Sequence, residues 1–211
     1  MSRATTTGPA TAAGAAPERV LTPVLHHANL KTLRLQEMVE WYGTVVGMRT
    51  IFRYPGGAWL SNDAANHRLA LLTMPGLADD PDKIAHTGMH HLAFELGSLD
   101  ELLETYQRLV RQGISPHCCL DHGMTTSFYY ADPDGNSVEL QCDNFGGDWE
   151  RSTEFMRSSP RFADDPIGTH IDPDRLVKAR RAGASPEEIH ARGYDGEFTP
   201  EGPLDLHLPI G

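Results

Sequence analysis

A chain of 211 residues, 39% of them hydrophobic, can build one sizeable core or two small fused modules. Its net charge of −11 argues against a nucleic-acid surface, where Lys and Arg must neutralise phosphates, and against docking on an anionic membrane. No apolar run approaches the roughly 18 residues that span a bilayer, and the start of the chain lacks the order of a signal peptide, so a soluble, cytoplasmic protein is expected.

Residues 1–19, rich in Ala, Thr and Gly, carry too little apolar surface to pack and are expected to be disordered. A first strand is expected over Val24–Leu30. A helix follows over Leu33–Val46, with apolar positions at Leu35, Met38, Val39, Tyr42, Val45 and Val46 on one face. Strands are then expected at Thr50–Tyr54, Ala58–Leu60 and His67–Thr73, separated by the turns Pro55-Gly56-Gly57 and Asn62–Asn66. This β-α-β-β-β unit spans residues 23–74, and 75–88 is a linker. The order then repeats over 89–145: strand Met89–Leu96, helix Leu99–Gln112, and strands Ser115–Leu120, Ser127–Ala131 and Ser137–Cys142. The last two are joined by the hairpin signal Asp132-Pro133-Asp134-Gly135-Asn136.

The fold class is therefore α+β: two βαβββ modules within residues 20–146, forming a cupped mixed sheet. The extension 147–211 is expected to be partly helical, with helices at Asp148–Ser158, from Asp172-Pro173-Asp174 and from Ser185-Pro186-Glu187-Glu188, packed on the outside of the modules or on another subunit. Cys118, Cys119 and Cys142, odd in number and two of them adjacent, read as buried strand residues rather than a disulfide framework.

The repeat is visible residue by residue. Leu25-His26-His27-Ala28-Asn29-Leu30 returns as Met89-His90-His91-Leu92-Ala93-Phe94, and each following helix carries a Tyr at the same offset, Tyr42 and Tyr106. Side chains alternate along a strand, so one His of each pair faces the cup. His27 and His91 share parity with the small residues Asn29 and Ala93, whereas His26 and His90 are expected to face the helices. Glu139 lies between Val138 and Leu140, an acid in an apolar strand that is costly to bury unpaired. Two imidazoles and a carboxylate with open positions match the facial triad of non-haem Fe(II) oxygen chemistry. Laying the two turns over each other places Leu69 opposite Glu139, so module one supplies no fourth ligand. It also places His67 on the inward face, where it could reach a substrate at the ion without ligating it; the alternative is a hairpin-end His in water.

The stretches His27-Ala28-Asn29-Leu30, His91-Leu92-Ala93-Phe94-Glu95 and Ser127-Phe128-Tyr129 through Asp132-Pro133-Asp134-Gly135-Asn136-Ser137-Val138-Glu139 resemble the vicinal oxygen chelate superfamily, and within it the type I extradiol catechol dioxygenases in a short two-module form. The resemblance covers roughly residues 23–145. It implies Fe(II), or else Mn(II), held by His27, His91 and Glu139, with a catechol-type diol and O2 as substrates. It also implies His67 as acid/base, His122 as the His that hydrogen-bonds the substrate, and Tyr129 near the substrate oxygen. A neutral His suits a proton taken and returned within one cycle. Competing readings are a metal-dependent isomerase or lyase of the glyoxalase type, and a metal-free drug-sequestering protein. Exposed sheet edges and the extension point to a homo-oligomer.

Overall fold

The structure, a computed structural model, describes residues 20–209. The disorder expected over 1–19 therefore lies outside the described residues. Each module follows the expected order. Module one consists of β1 (Ala28–Lys31), α1 (Leu35–Val45), β2 (Arg49–Tyr54), β3 (Gly57–Ser61) and β4 (Leu69–Leu72). Module two consists of β5 (His91–Leu96), α2 (Leu99–Val110), β6 (Cys118–Asp121), β7 (Thr125–Ala131) and β8 (Ser137–Asp143). Between them the linker makes one 3-10 turn, Lys83–Ala85.

Two mixed sheets result, one of four strands in the order β1-β4-β3-β2 and one of five, β5-β8-β7-β6-β9. In both, the first and last strands of the module run parallel at one edge and the remaining pairings are antiparallel. The strand pattern explains why one face of each sheet is covered. Leu30, Leu60, Leu69 and Leu71 pack against Met38 and Tyr42 of α1, and the same cluster includes Val138 of β8. Alternate residues of module two, Phe128, Tyr130, Leu140 and Cys142, pack with Leu102, Tyr106 and Leu109 of α2.

The duplicated tyrosines have parallel tasks. The Tyr42 hydroxyl donates to Asp132 Oδ2 at 3.2 Å and so ties α1 to the β7–β8 hairpin of the other module. The Tyr106 hydroxyl donates to Asp174 Oδ1 at 2.9 Å and ties α2 to the extension. Each helix is thus fastened to the unit that follows it in the chain.

The extension forms α3 (Trp149–Ser158), α4 (Pro160–Asp164), β9 (Thr169–His170), α5 (Pro173–Arg181) and α6 (Pro186–Tyr194). Helices α5 and α6 start where expected, each with Pro in its first turn; Asp172 caps the first and a Ser185–Glu188 capping box the second. The extension does more than lie on the outside. Strand β9 adds to the sheet beside β6, and Ile171, Leu176, Ile189 and Phe198 are buried in the same cluster as Phe128 and Leu102. Burial of such side chains contributes about 1.5–3 kcal/mol each, and the sum is comparable with the whole stability of a domain. Module two therefore depends on the extension for its core.

Candidate metal centre

On the face of module two turned away from α2, His91 and Ala93 lie beside Ser137 and Glu139, with Ala93 directly paired to Glu139. The inward parity expected for His91 is what the structure has: its Nε2 is 3.1 Å from Glu139 Oε2. Glu139 is only 5% exposed. Across the strand pair, Tyr129 stands opposite it, and the Tyr129 hydroxyl donates to Glu139 Oε1 at 2.9 Å. His122, on the loop after β6, brings Nε2 to 2.8 Å from the same hydroxyl. A continuous chain of polar contacts thus runs His122–Tyr129–Glu139–His91.

The electrostatics follow from this chain. Burial pushes the Glu139 carboxyl up, but hydrogen bonds from His91, Ser127 and Tyr129 outweigh it and leave the group below its ordinary value of 4.5. Burial lowers His122 and keeps its imidazole neutral near pH 7, despite the pull of Glu139. Burial beside Glu139 raises Tyr129, so its phenol keeps its proton.

Module one gathers its own imidazoles. His27 lies against His67 with ring centroids 4.4 Å apart, and His67 stacks on Trp59 at 5.3 Å. Burial, with His27 and His26 beside it, lowers His67. Strand β1 begins at Ala28, so His26 and His27 precede the strand rather than sit in it. Their side chains are consequently free of strict alternation, and His26, expected towards the helices, joins the cup side with Nδ1 3.1 Å from His27 Nδ1. His90 likewise turns from the helices; its Nε2 meets the Leu206 carbonyl at 2.8 Å.

Among the described residues, two groups of three side chains have donor atoms all within 4.8 Å of one another: His26, His27 and His67, and His117, Asp205 and His207. The structure thus brings His91 together with Glu139, and His27 together with His67, and does not gather His27, His91 and Glu139 that closely. The donor chemistry of those three nonetheless fits a divalent first-row ion. A cation would also offset the cost of burying the Glu139 carboxylate.

The sheet register corrects one expectation. Trp59 pairs with Ala70 where Tyr129 pairs with Glu139, so Ala70, not Leu69, occupies the position matching Glu139. The turn of module one is one residue longer than the Asp132–Asn136 hairpin, and this shifts the alignment. The absence of a matching carboxylate in module one stands. His67 precedes β4 instead of lying within it, and its place in the cup rests on stacking against Trp59 and a tilted contact with His27 rather than on strand parity.

Three residues at this site escaped the sequence reading. Asp121, 1% exposed, accepts from Gly123 N at 2.9 Å, lies 2.8 Å from His190 Nδ1 of α6, and receives a longer contact from Asn144 Nδ2 at 3.4 Å. These contacts fix the loop that carries His122. The signal was present, since Asp121 is an acid ending the apolar run Cys118-Cys119-Leu120, the same kind of anomaly that singled out Glu139.

A cleft of about 630 Å³ opens elsewhere, between β1, the linker and the β7–β8 hairpin. Arg34 there is paired with Asp79 and Asp134 at 2.7 and 2.6 Å, and none of the residues proposed for chemistry lines it.

Comparison with known proteins gives this geometry a family. The Glyoxalase/Bleomycin resistance protein/Dioxygenase superfamily pattern matches residues 24–140. Biphenyl-2,3-diol 1,2-dioxygenase 2 of Rhodococcus globerulus is 37% identical over 182 residues, covering 86% of this chain and 94% of that protein. Biphenyl-2,3-diol 1,2-dioxygenase 3 of the same organism is 38% identical over 174 residues, covering 82% and 90%. Catechol-2,3-dioxygenase of Bacillus subtilis is 30% identical over 129 residues, covering 61% of this chain and 44% of that protein. With a family match over more than half its length and relatives of this similarity along nearly all of it, the chain belongs to the Glyoxalase/Bleomycin resistance protein/Dioxygenase superfamily.

Proposed function

We propose that the protein is an extradiol dioxygenase that opens the ring of a catechol-type diol with O2, using a non-haem Fe(II), or Mn(II), held by His27, His91 and Glu139. The observation that carries this reading is the buried Glu139 carboxylate, in contact with the His91 imidazole and held by the Tyr129 hydroxyl, in a chain whose relatives named above are diol dioxygenases. A bound ion of this kind supplies coordination sites at which a diol and O2 meet with little reorganisation.

The chain's own groups handle position and protons. Tyr129 holds one oxygen of Glu139 and leaves the other directed at His91, which fixes the carboxylate as an outer hydrogen-bond partner fixes a metal ligand. His67, lowered from its ordinary value, has the neutral ring needed to take a proton from a diol hydroxyl and return it to the opened product. His122 is neutral and hydrogen-bonded to Tyr129, so the pair adds no charge beside the site and can bond a substrate oxygen by exchanging one of these contacts for it. Ala70, where a fourth ligand would stand, counts against a metal-dependent isomerase or lyase of the glyoxalase type.

The test is anaerobic purification, metal analysis and oxygen uptake with a panel of catechols. One equivalent of iron or manganese and uptake of one O2 per diol are expected. A loaded protein that consumes no O2 with any diol would overturn the reading.

A further inference from the structure

The inner face of module two is not open along its whole width. Leu204 and Leu206 pack on Cys118, Leu120 and Tyr129, residues on the same face as Glu139. The strap they belong to is fastened through its backbone. His90 Nε2 meets the Leu206 carbonyl at 2.8 Å while His90 Nδ1 lies 2.8 Å from His91 Nδ1. His117 Nδ1 meets the Asp205 carbonyl at 2.9 Å. His207 then stacks flat on His117, with centroids 3.7 Å apart, in a left-handed conformation at φ 51 that a non-glycine residue adopts only where its surroundings impose it. Among the described residues none packs in this way on the equivalent face of module one, where Phe52 and Trp59 stand 49% and 39% exposed.

We propose that the strap Leu204–His207 is a wall of the diol pocket and determines how large a ring system is admitted. This rests on the reading of the metal centre given above. Three features make the strap a specificity element as well as packing. It touches the cluster containing Tyr129, the residue that holds Glu139. It reaches the ligand His91 through a single intervening side chain, His90. Its two anchoring histidines grip carbonyl oxygens, which every residue type provides, so the Leu204 and Leu206 side chains can set the shape of the wall without disturbing how the strap is held.

The experiment uses the full chain loaded anaerobically with Fe(II), and measures equilibrium binding of catechol and of 3-phenylcatechol by calorimetry without O2. Leu206→Ala is expected to shift the ratio of the two affinities towards the two-ring diol, and Leu206→Trp towards catechol, each by about tenfold, the size of effect that a small change in an apolar pocket produces. Metal content should stay at the wild-type level in both. Amide exchange on the wild-type protein gives a readout independent of any variant, with residues 204–207 expected to gain protection when 3-phenylcatechol binds. An affinity ratio within about twofold of wild type in both variants, or strap amides indifferent to the diol, would overturn the proposal. If the loaded wild-type protein binds neither diol, it is the reading of the metal centre that fails.

Discussion

Tyr129 and Glu139 face each other as a cross-strand pair of β7 and β8, and the tyrosine hydroxyl donates to the carboxylate at 2.9 Å. Because His122 meets the same hydroxyl, Tyr129→Phe removes two contacts at once. It leaves Glu139 with His91 and Ser127 as partners and His122 Nε2 without one. The expected outcome is retained metal, a loss of kcat of about 10²-fold, the lower end of what a positioned proton donor or acceptor contributes, and a stability cost of about 1 kcal/mol. Steady-state kinetics beside metal analysis and urea unfolding check all three.

His67 and Glu139 should separate by phenotype. Glu139→Ala removes a proposed ligand, so metal and turnover are expected to disappear together. His67→Ala removes a ring lying between His27 and Trp59 without removing a proposed ligand, so metal should remain while turnover falls about 10²–10⁴-fold. Parallel metal content and kcat measurements decide it. A His67→Ala protein that turns over normally would remove His67 from the chemistry, and one that loses its metal would make it a ligand.

The duplicated architecture was legible because the His pair and the helix Tyr recur at fixed offsets, and periodicity read helices and strands correctly wherever one face is buried. What was not legible depends on contacts far apart in the chain. The shift from Leu69 to Ala70 came from one extra residue in a turn, which sequence overlay cannot see and sheet register can. The grouping of His26 with His27 and His67 required knowing that β1 starts only at Ala28. The burial of Ile171, Ile189 and Phe198 beside Phe128 was hidden because short helices with few apolar residues look peripheral until the core they complete is known. Asp121 is the opposite case, a local anomaly whose partner His190 lies too distant in sequence to be paired with it by pattern.

That Asp121–His190 contact yields a prediction about stability. Asp121 is buried, so truncating its partner with His190→Ala leaves a carboxylate with only the Gly123 amide and a long Asn144 contact. A cost of about 1–3 kcal/mol is expected. Gly168→Ala should cost more, since Gly168 sits at φ +84 and a Cβ there would lie 2.2 Å from the Asp121 carbonyl oxygen. Left-handed strain of about 1–2 kcal/mol and overpacking of about 1–3 kcal/mol act together. Urea unfolding of both variants checks the order, and costs near zero in both would mean that the extension is only loosely attached.

The strap gives a pH dependence whose sign can be worked out. Burial holds His117 below its ordinary value of 6.5; His207 stacked on it and His90 nearby push the same way, while the Asp205 carbonyl and carboxylate oppose them. Near pH 8 the ring is neutral whether or not the protein is folded, and it contributes no pH-dependent term. As pH falls through 6.5 the unfolded or strap-open chain takes up a proton before the closed form does, so the closed form loses stability towards acid and regains it towards base. After correction for intrinsic rates, amide exchange over residues 204–208 is therefore expected to accelerate between about pH 7.5 and pH 5.5. His117→Gln cannot titrate and should flatten that dependence. Acceleration of equal size in the variant would assign the effect to another group, and slower exchange at acid pH in the wild type would contradict the sign.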